Sequence, residues 1–256
     1  MNALVLSTCS CDTGAKYPPT RDLEWDGCFN ARDLGGLPSS AGGATRHGAF
    51  VRADALSGLT EAGWRAALAH GVRTVIDLRN RDELGPDVAQ RPAEVRRLHL
   101  PLDASEERDF WDIWSSGPQF GTPLYYGPHI ERFPERSAAV LAAIANAEPG
   151  GVAFHCEGGR DRSGQVTMLL LALADVPAEE IAADYALSHG RLAARYAARG
   201  EEDQAPLLRG YLEERGTSAE AVIVELLGEL DVEERLRAAG LAQRELAALR
   251  GRLLDA

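Results

Sequence analysis

The sequence contains little cysteine, less positive than negative charge, and no long apolar run. Its 256 residues include four cysteines, too few to define a disulfide scaffold in a chain of this length. The formal net charge of −12 argues against a general nucleic-acid or anionic-membrane surface, because either would require a basic face. No stretch approaches the roughly 20 apolar residues of a membrane span, so no span is expected.

The N-terminal segment also lacks the features of a targeting signal. In "MNALVLSTCSCDTG", no Lys or Arg precedes the short apolar run, and that run is briefer than a signal-peptide core. We therefore expect a cytoplasmic protein in a reducing compartment, with secretion without a cleaved signal peptide left open. Cys9 and Cys11 are expected to belong to an irregular segment, 1–25, rather than to a metal or lipid site.

The order of strand-like and helix-like segments favours a layered α/β core. Four segments carry the residues typical of strands: 49–54, 72–79, 96–103 and 152–156. The C-terminal segment 176–256 has helical patterns throughout, and no internal repeat or long linker separates it from the rest. The sequence therefore predicts a single domain, 1–256, that ends in a helical extension.

Helix boundaries are predicted from capping residues and from glycine. Thr60 is a predicted N-cap for a helix that reaches Ala69, and Gly71 follows it. The other predicted helices run from about 130 to 147, from 163 to 174, and onward from a capping box at 217–220.

The segment 105–126 has neither a helical nor a strand period. It holds Phe110, Trp111, Trp114, Phe120, Tyr125 and Tyr126. Two interpretations remain open: a mobile lid or wall over a pocket, or an irregular part of the core.

The stretch "FHCEGGRDRSGQ", residues 154–165, joins a predicted strand to a predicted helix through a glycine-rich loop. Gly158 and Gly159 permit a tight turn in which backbone N–H groups face inward, and the helix N-terminus adds partial positive charge. Such a loop binds a tetrahedral oxyanion. Arg162 adds a planar fork of donors that can hold two phosphate oxygens. The predicted phosphate-binding residues are Glu157, Gly158, Gly159, Arg160, Asp161 and Arg162.

Cys156 lies at the start of this loop, where the positive environment favours its thiolate form. Beneath a bound phosphate, the thiolate could attack phosphorus in line and form a cysteinyl-phosphate, which water then hydrolyses. Ser163 can donate a hydrogen bond to the sulfur as it leaves. His155 is expected to orient the loop rather than to act as a base. This chemistry requires neither a metal nor a cofactor, and none is expected.

The leaving group needs a proton, and three aspartates are candidates for its donor. Asp161 lies inside the loop, Asp77 lies near the end of a predicted strand, and Asp103 closes the next predicted strand. The alternative role for each of them is an ion pair that anchors an arginine, most plausibly Arg162. These alternatives stay open on the sequence alone.

Three more residues are predicted to support the site. Arg32 and Asp33 are expected to pair with each other or to cap a turn nearby. Arg52 ends a predicted strand, where it could help to bind substrate, although an exposed salt bridge is the favoured role.

The loop "HCEGGRDRSG" resembles the Cys-x5-Arg-Ser/Thr signature of the cysteine-dependent phosphatases. Upstream, "FNARDLGGL", "FVRADALSGLT" and "VIDLRNRDEL" resemble the bacterial tyrosine and dual-specificity phosphatase branch, and the resemblance runs from about Phe29 to the C-terminal helices. It implies metal-independent hydrolysis of a phosphomonoester through a phosphocysteine. It also implies a PTP-like fold, in which helices flank a central, mostly parallel twisted sheet.

Two positions depart from the pattern of that branch. Arg160 stands where the branch has Lys, a residue associated with activity on phosphoinositides as well as phosphoproteins, and Arg keeps the charge but not the geometry. "NARD" replaces "NFRD", which removes an aromatic residue from the first loop.

The residues and the resemblance together predict a protein-tyrosine phosphatase that acts on a phosphorylated protein. A phosphatase of a phosphoinositide or small molecule is the first alternative, and a non-catalytic phosphate-binding module is the second. A sulfurtransferase also uses a loop cysteine, but its loop is typically shorter and does not demand this Arg-Ser pair. The oligomeric state is not predicted.

Overall fold

The computed structural model describes residues 21–254, and a five-stranded sheet forms its centre. The strands are β1 (Arg32–Asp33), β2 (Phe50–Ala53), β3 (Val72–Asp77), β4 (Arg96–His99) and β5 (Gly151–His155). Their order across the sheet is β1-β2-β5-β3-β4. β1 is antiparallel to β2, and the other three pairs are parallel. The predicted α/β fold with a mostly parallel sheet is confirmed.

Ten helices flank this sheet in the described part of the chain. They are α1 (Glu61–Ala69), α2 (Arg108–Trp114), α3 (Tyr126–Arg132), α4 (Pro134–Ala145), α5 (Asp161–Leu173), α6 (Ala178–Arg199), α7 (Ala205–Glu213), α8 (Ala219–Glu229), α9 (Val232–Ala238) and α10 (Gln243–Leu253). Short 3-10 turns lie at Leu56–Gly58, Arg81–Glu83, Pro118–Gly121 and Pro123–Tyr125.

The sheet separates two hydrophobic cores. Successive residues of β5 point to opposite faces, so Val152 and Phe154 lie in the larger core and Ala153 lies in the smaller. The larger core also receives apolar residues from α4, α5 and α10, whereas α1 covers the smaller core. All five residues of β5 are buried, as expected for a central parallel strand that is covered on both faces.

One predicted helix, 130–147, is two helices in the structure, α3 and α4. Pro134 is the first residue of α4, and it has no backbone N–H with which to continue a helix from α3. Phe133, between the two helices, has φ −130° and ψ 50°, which is not a helical conformation. The break redirects the chain between α3 and α4.

Side-chain caps mark the starts of α1 and α8. Thr60 accepts a hydrogen bond from the Gly63 N–H at the start of α1, as the sequence predicts. At α8 the cap is Ser218, which accepts from the Ala221 N–H, and not the predicted Thr217. The prediction was therefore wrong by one residue there: Thr217 and Ser218 both carry a hydroxyl group that can cap a helix, and Ser218 is the one that does so.

The aromatic segment 105–126 belongs partly to the core. It forms α2 and two 3-10 turns, and the rings of Trp111 and Tyr125 pack at 5.7 Å between centroids. Tyr125 and Tyr126 are almost fully buried, whereas Phe120 is 44% exposed. The segment thus contributes to the core on one side and presents a ring to solvent on the other.

The C-terminal helices pack onto the larger core of the sheet. Leu246, Leu249 and Leu253 of α10 are at most 1% exposed, and the Arg46 N–H donates to the Leu253 carbonyl at 2.6 Å. Across residues 21–254, no helix is both long and apolar enough to span a bilayer. Cys9 and Cys11 lie outside the described residues.

Candidate active site

The carboxyl ends of three neighbouring parallel strands meet at one edge of the sheet. β5 ends at His155, between β2 on one side and β3 on the other, and Cys156 follows directly. The connection from Cys156 to α5 crosses this edge, and Asp161 is the first residue of that helix. Ligands of parallel α/β sheets bind outside the carboxyl ends of the strands, which makes this edge the candidate site.

The loop after Cys156 is closed tightly around the sulfur. The Gly159 N–H donates to Cys156 Sγ at 3.2 Å, and Ser163 Oγ lies 3.4 Å from the same sulfur. Gly159 has φ +67°, and a Cβ there would lie 2.5 Å from backbone atoms of Ala53 and Asp54. Only glycine can adopt this positive φ and also approach β2 so closely without displacing it. This is the physical reason for the glycine predicted at this position.

Side chains behind the loop bind its carbonyl groups. Arg52 Nη2 donates to the carbonyls of Gly159 and Arg160, each at 2.9 Å. Asn30 Nδ2 donates to the Gly158 carbonyl at 2.9 Å. Because these oxygens face backward, the N–H groups of the loop are left to face the cavity, as an anion site requires.

Arg52 and Arg32 share one carboxylate, that of Asp184 on α6. Arg52 Nη1 lies 2.6 Å from Asp184 Oδ2, and Arg32 Nε lies 3.1 Å from Oδ1. All three side chains are fully buried. Burial opposes ionisation of Asp184, but the two guanidinium groups hold its pKa well below the usual range. The expected exposed salt bridge at Arg52 was wrong, since the strand end lies under the loop.

Arg162 faces the cavity and is bound by two carboxylates. Its Nη2 donates to Glu83 Oε1 at 2.6 Å, a second contact joins Nη1 to Glu83 Oε2, and Nη1 lies 3.3 Å from Asp103 Oδ2. Burial raises the pKa of Glu83, but its hydrogen bond and ion pair with Arg162 outweigh this and lower it. Glu83 also accepts from the Asn80 N–H, as the last residue of a capping box. Glu83 is not among the site residues predicted from the sequence, although the "NRDE" pattern is a detectable capping signal.

Asp103 is a buried carboxyl group beside this arginine. It is 4% exposed, and Asn80 Nδ2 donates to its Oδ2 at 3.0 Å. Burial, aided by the negative charge of Glu83, raises the pKa of Asp103 to about 6, although Arg162 opposes the shift. Asp103 therefore changes its protonation state near neutral pH.

Asp161, in contrast, is engaged in an ion pair. Arg160 Nε lies 3.2 Å from both carboxylate oxygens of Asp161, and Tyr185 Oη donates to Oδ1 at 3.2 Å. Arg160 is 5% exposed, and its guanidinium lies against Gly121. Arg160, a predicted phosphate-binding residue, is thus held in an ion pair with Asp161, the next residue in the chain.

Two of the predicted site residues lie beneath the site rather than in it. Asp77 is fully buried, and its Oδ2 accepts from Arg79 at 2.9 Å and from Arg97 at 2.6 Å. His155 Nε2 lies 3.6 Å from Asp77, and burial lowers the pKa of His155 to about 4 despite that carboxylate. A neutral His155 fits the predicted orienting role. Asp77 does not border the cavity.

Asp33 lies away from the loop. Its oxygens accept from the backbone N–H groups of Gly35 and Gly48 at 2.7 Å each, and Oδ2 lies 2.7 Å from His70 Nε2. Asp33 caps a turn, as one predicted alternative proposed, but it does not pair with Arg32, which contacts Asp184 instead. Of the two residues, only Arg32 supports the loop.

A cavity of about 450 Å³ opens above Cys156. The phosphate-binding loop forms one side, α6 forms another, and Asn80, Glu83 and Asp103 form a third. Aromatic rings complete the wall, supplied by Phe120, Tyr125 and Tyr196. This cavity combines a nucleophile, inward N–H groups, a guanidinium, a titratable carboxyl and an aromatic wall, which suits attack on an aromatic phosphate ester.

Comparisons with known proteins cover nearly the whole described chain. A family described as the tyrosine phosphatase family matches residues 23–255. A tyrosine-protein phosphatase of Nostoc commune is 32% identical over 221 residues, which is 80% of this chain and 74% of that protein. A protein of Cupriavidus necator is 30% identical over 66% of this chain and 64% of its own length. The triple specificity protein phosphatase PtpB of Mycobacterium tuberculosis is 27% identical over 65% of this chain and 68% of that protein.

Proposed function

The chain belongs to the tyrosine phosphatase family as a cysteine-based phosphoric monoester hydrolase, and from this premise we propose how its residues divide the reaction. Cys156 attacks phosphorus, so that an S–P bond forms while the bond from phosphorus to the tyrosyl oxygen breaks. The leaving oxygen takes a proton from a carboxylic acid. Water then forms a new P–O bond, the S–P bond breaks, and the proton lost by water returns to the carboxylate.

The single observation that carries this proposal is the position of Cys156 Sγ. It lies at the centre of the loop, 3.2 Å from the Gly159 nitrogen and 3.4 Å from Ser163 Oγ. Arg162 and the N–H groups of the loop bind the phosphate oxygens, and the N-terminus of α5 adds its partial positive charge. Ser163 stabilises the thiolate when it leaves in the second step.

We assign the proton donor to Asp103 rather than to Asp161 or Asp77. The carboxylate of Asp161 is occupied by the ion pair with Arg160 and by the hydrogen bond from Tyr185. Asp103 borders the cavity and has a pKa of about 6, so that a useful fraction is protonated near neutral pH.

The aromatic wall of the cavity supports phosphotyrosine as the substrate. Phe120, Tyr125 and Tyr196 provide surface for a flat ring above the phosphate site. A phosphoinositide is the less favoured alternative, because Arg160, the residue at the position linked to lipid activity, is paired with Asp161. Since Cys156 must remain a thiol, we also propose that the protein works in a reducing compartment such as the cytoplasm.

Phosphate release tests the overall assignment. The reduced, chelator-treated protein is compared with Cys156→Ser on one peptide carrying phosphotyrosine, phosphoserine or phosphothreonine at the same position. We expect release mainly from the phosphotyrosine peptide, and none above background from the variant. Undiminished release by Cys156→Ser would overturn the phosphocysteine mechanism, and no release with retained vanadate binding would support a binding module.

Substrates with different leaving groups test the proton donor. Tyrosyl oxygen, with a pKa near 10, needs a proton as it leaves, whereas an activated nitrophenyl ester does not. Asp103→Asn is expected to slow phosphotyrosine hydrolysis by about 100-fold and the nitrophenyl ester far less. The wild-type rate on phosphotyrosine should fall as pH rises above about 6. If Asp161→Asn shows this leaving-group pattern and Asp103→Asn does not, the assignment moves to Asp161.

A further inference from the structure

One face of α6 borders the cavity next to the phosphate-binding loop. Leu192, Arg195, Tyr196 and Arg199 are spaced i, i+3, i+4 and i+7, and all four border the cavity. Arg195 is 5% exposed, while the side chain of Arg199 is 44% exposed. Neither arginine takes part in the proposed phosphoryl-transfer steps.

Both arginines bind the same carboxylate oxygen. Oε1 of Glu157 accepts from Arg195 Nη2 at 2.5 Å and from Arg199 Nη1 at 3.2 Å. Their next carboxylates are more distant, with Asp54 at 3.9 Å from Arg195 and Glu201 at 4.0 Å from Arg199. A guanidinium carries five N–H donors, so one shared oxygen leaves most of this donor capacity to other acceptors.

Glu157 can release these arginines without leaving a charge uncompensated. Its side chain is 38% exposed, and its other oxygen, Oε2, lies 3.7 Å from Arg79 Nη1. An incoming oxyanion could therefore take the place of Oε1, while Glu157 keeps Arg79 and water as partners. Because Glu157 directly follows Cys156, that oxyanion would lie beside the scissile phosphate.

We propose that Arg195 and Arg199 form a second anion subsite, which selects phosphotyrosine peptides that carry an acidic side chain beside the phosphotyrosine. The inference rests on the proposed function. A carboxylate of such a peptide would receive charge-assisted hydrogen bonds from both guanidinium groups. A peptide is favoured over a phosphoinositide membrane because the chain has a net charge of −12, which repels an anionic bilayer.

A matched pair of peptides tests the subsite. One phosphotyrosine peptide carries Asp or Glu at the flanking positions, and its partner carries Asn or Gln there. For the wild-type protein, kcat/KM is expected to be about tenfold higher on the acidic peptide. Arg199→Gln should lower this ratio by about threefold, and the double change with Arg195→Gln should bring it to about one. The ratio should also fall with added salt.

Arg209→Gln provides the charge-matched control. Arg209 is exposed on α7, lies 3.8 Å from Glu213, and does not border the active-site cavity, so its replacement should leave the ratio unchanged. If both proteins hydrolyse the peptides and the ratio of kcat/KM values, acidic over neutral peptide, is the same in the wild type and in Arg199→Gln, the inference is overturned. If the wild-type protein hydrolyses neither peptide, the proposed function itself is overturned. Faster hydrolysis of a soluble inositol bisphosphate than of either peptide would assign the subsite to lipid headgroups.

Discussion

Two charge clusters lie on opposite sides of the phosphate-binding loop. The rear cluster joins Arg32, Arg52 and Asp184, with all three side chains inaccessible to solvent. The front cluster joins Arg162, Glu83 and Asp103 at the wall of the cavity. Cations outnumber the carboxylate behind the loop, whereas carboxylates outnumber the cation in front of it.

The two imbalances have different consequences. Behind the loop, Arg52 has N–H donors that Asp184 does not use, and they bind two backbone carbonyls of the loop. These hydrogen bonds hold the loop backbone in one conformation. In front of it, burial and, to a lesser extent, the negative charge of Glu83 raise the pKa of Asp103 to about 6, so that this carboxyl can take up a proton. The rear cluster therefore maintains geometry, and the front cluster handles charge and protons.

The largest effect is expected from Asp184→Asn, which removes the only carboxylate within 4 Å of Arg32 and Arg52 among the described residues. Leaving these buried cations uncompensated should lower the free energy of unfolding by about 3–5 kcal/mol at pH 7, measured by urea denaturation. Since the cations depress the folded-state pKa of Asp184, the stability it adds is present above the ordinary carboxyl pKa and is lost as pH falls. The difference in free energy of unfolding between the wild type and Asp184→Asn should therefore become smaller at acidic pH.

Glu61→Gln serves as the control for that experiment. Glu61 pairs with Arg65 at 3.9 Å on the exposed face of α1, so its replacement should change the unfolding free energy by less than about 0.5 kcal/mol. Equal midpoints for Asp184→Asn and Glu61→Gln would refute a supporting role for the rear cluster.

Arg162→Lys should act on activity rather than on stability. Lys keeps the charge but cannot bind two phosphate oxygens or both oxygens of Glu83 with a planar fork. We expect kcat/KM on a phosphotyrosine peptide to fall by about 100-fold, with a far smaller loss of stability than in Asp184→Asn. Arg52→Lys is the comparison variant, because it should lose the two carbonyl contacts and so reduce stability as well. If Arg162→Lys and Arg52→Lys lower the free energy of unfolding equally, the two clusters do not differ in their contribution to stability.

The smallest effect is the opposite pH dependence of Asp103→Asn. A carboxyl group whose folded-state pKa is raised binds its proton more tightly in the folded protein, so wild-type stability falls as pH rises from about 4 through about 6. The variant lacks this loss, so its free energy of unfolding should rise by about 2 kcal/mol relative to the wild type between pH 4.5 and 7.5. Urea midpoints at the two pH values measure the change. If the difference in urea midpoint between Asp103→Asn and the wild type is the same at both pH values, Asp103 does not titrate in this range.

The parts of the site that were predictable are those encoded by consecutive residues. Cys156, Gly159 and Arg162 belong to one strand–loop–helix unit, so their spacing alone indicated an oxyanion site. The Thr60 cap is local in the same way. Predictions of this kind depend only on neighbouring residues, whose relative positions the backbone fixes.

The rest depends on contacts between distant segments. Asp184 is 132 positions from Arg52, and no local pattern indicates that they pair. For that reason the sequence could not place Arg52 beneath the loop, nor choose among the three aspartates. The helix break at Pro134 is different, because the proline itself was a visible signal against one continuous helix.

Helix α6 connects the support of the nucleophile to the wall of the cavity. Its first half carries Asp184, which fixes the two arginines behind the loop, and its second half carries Arg195 and Arg199. Arg195 and Arg199 can therefore be replaced without removing the anchor near the start of the same helix. Substrate preference can thus diverge by substitution at these two positions, while Asp184 continues to hold the loop in place.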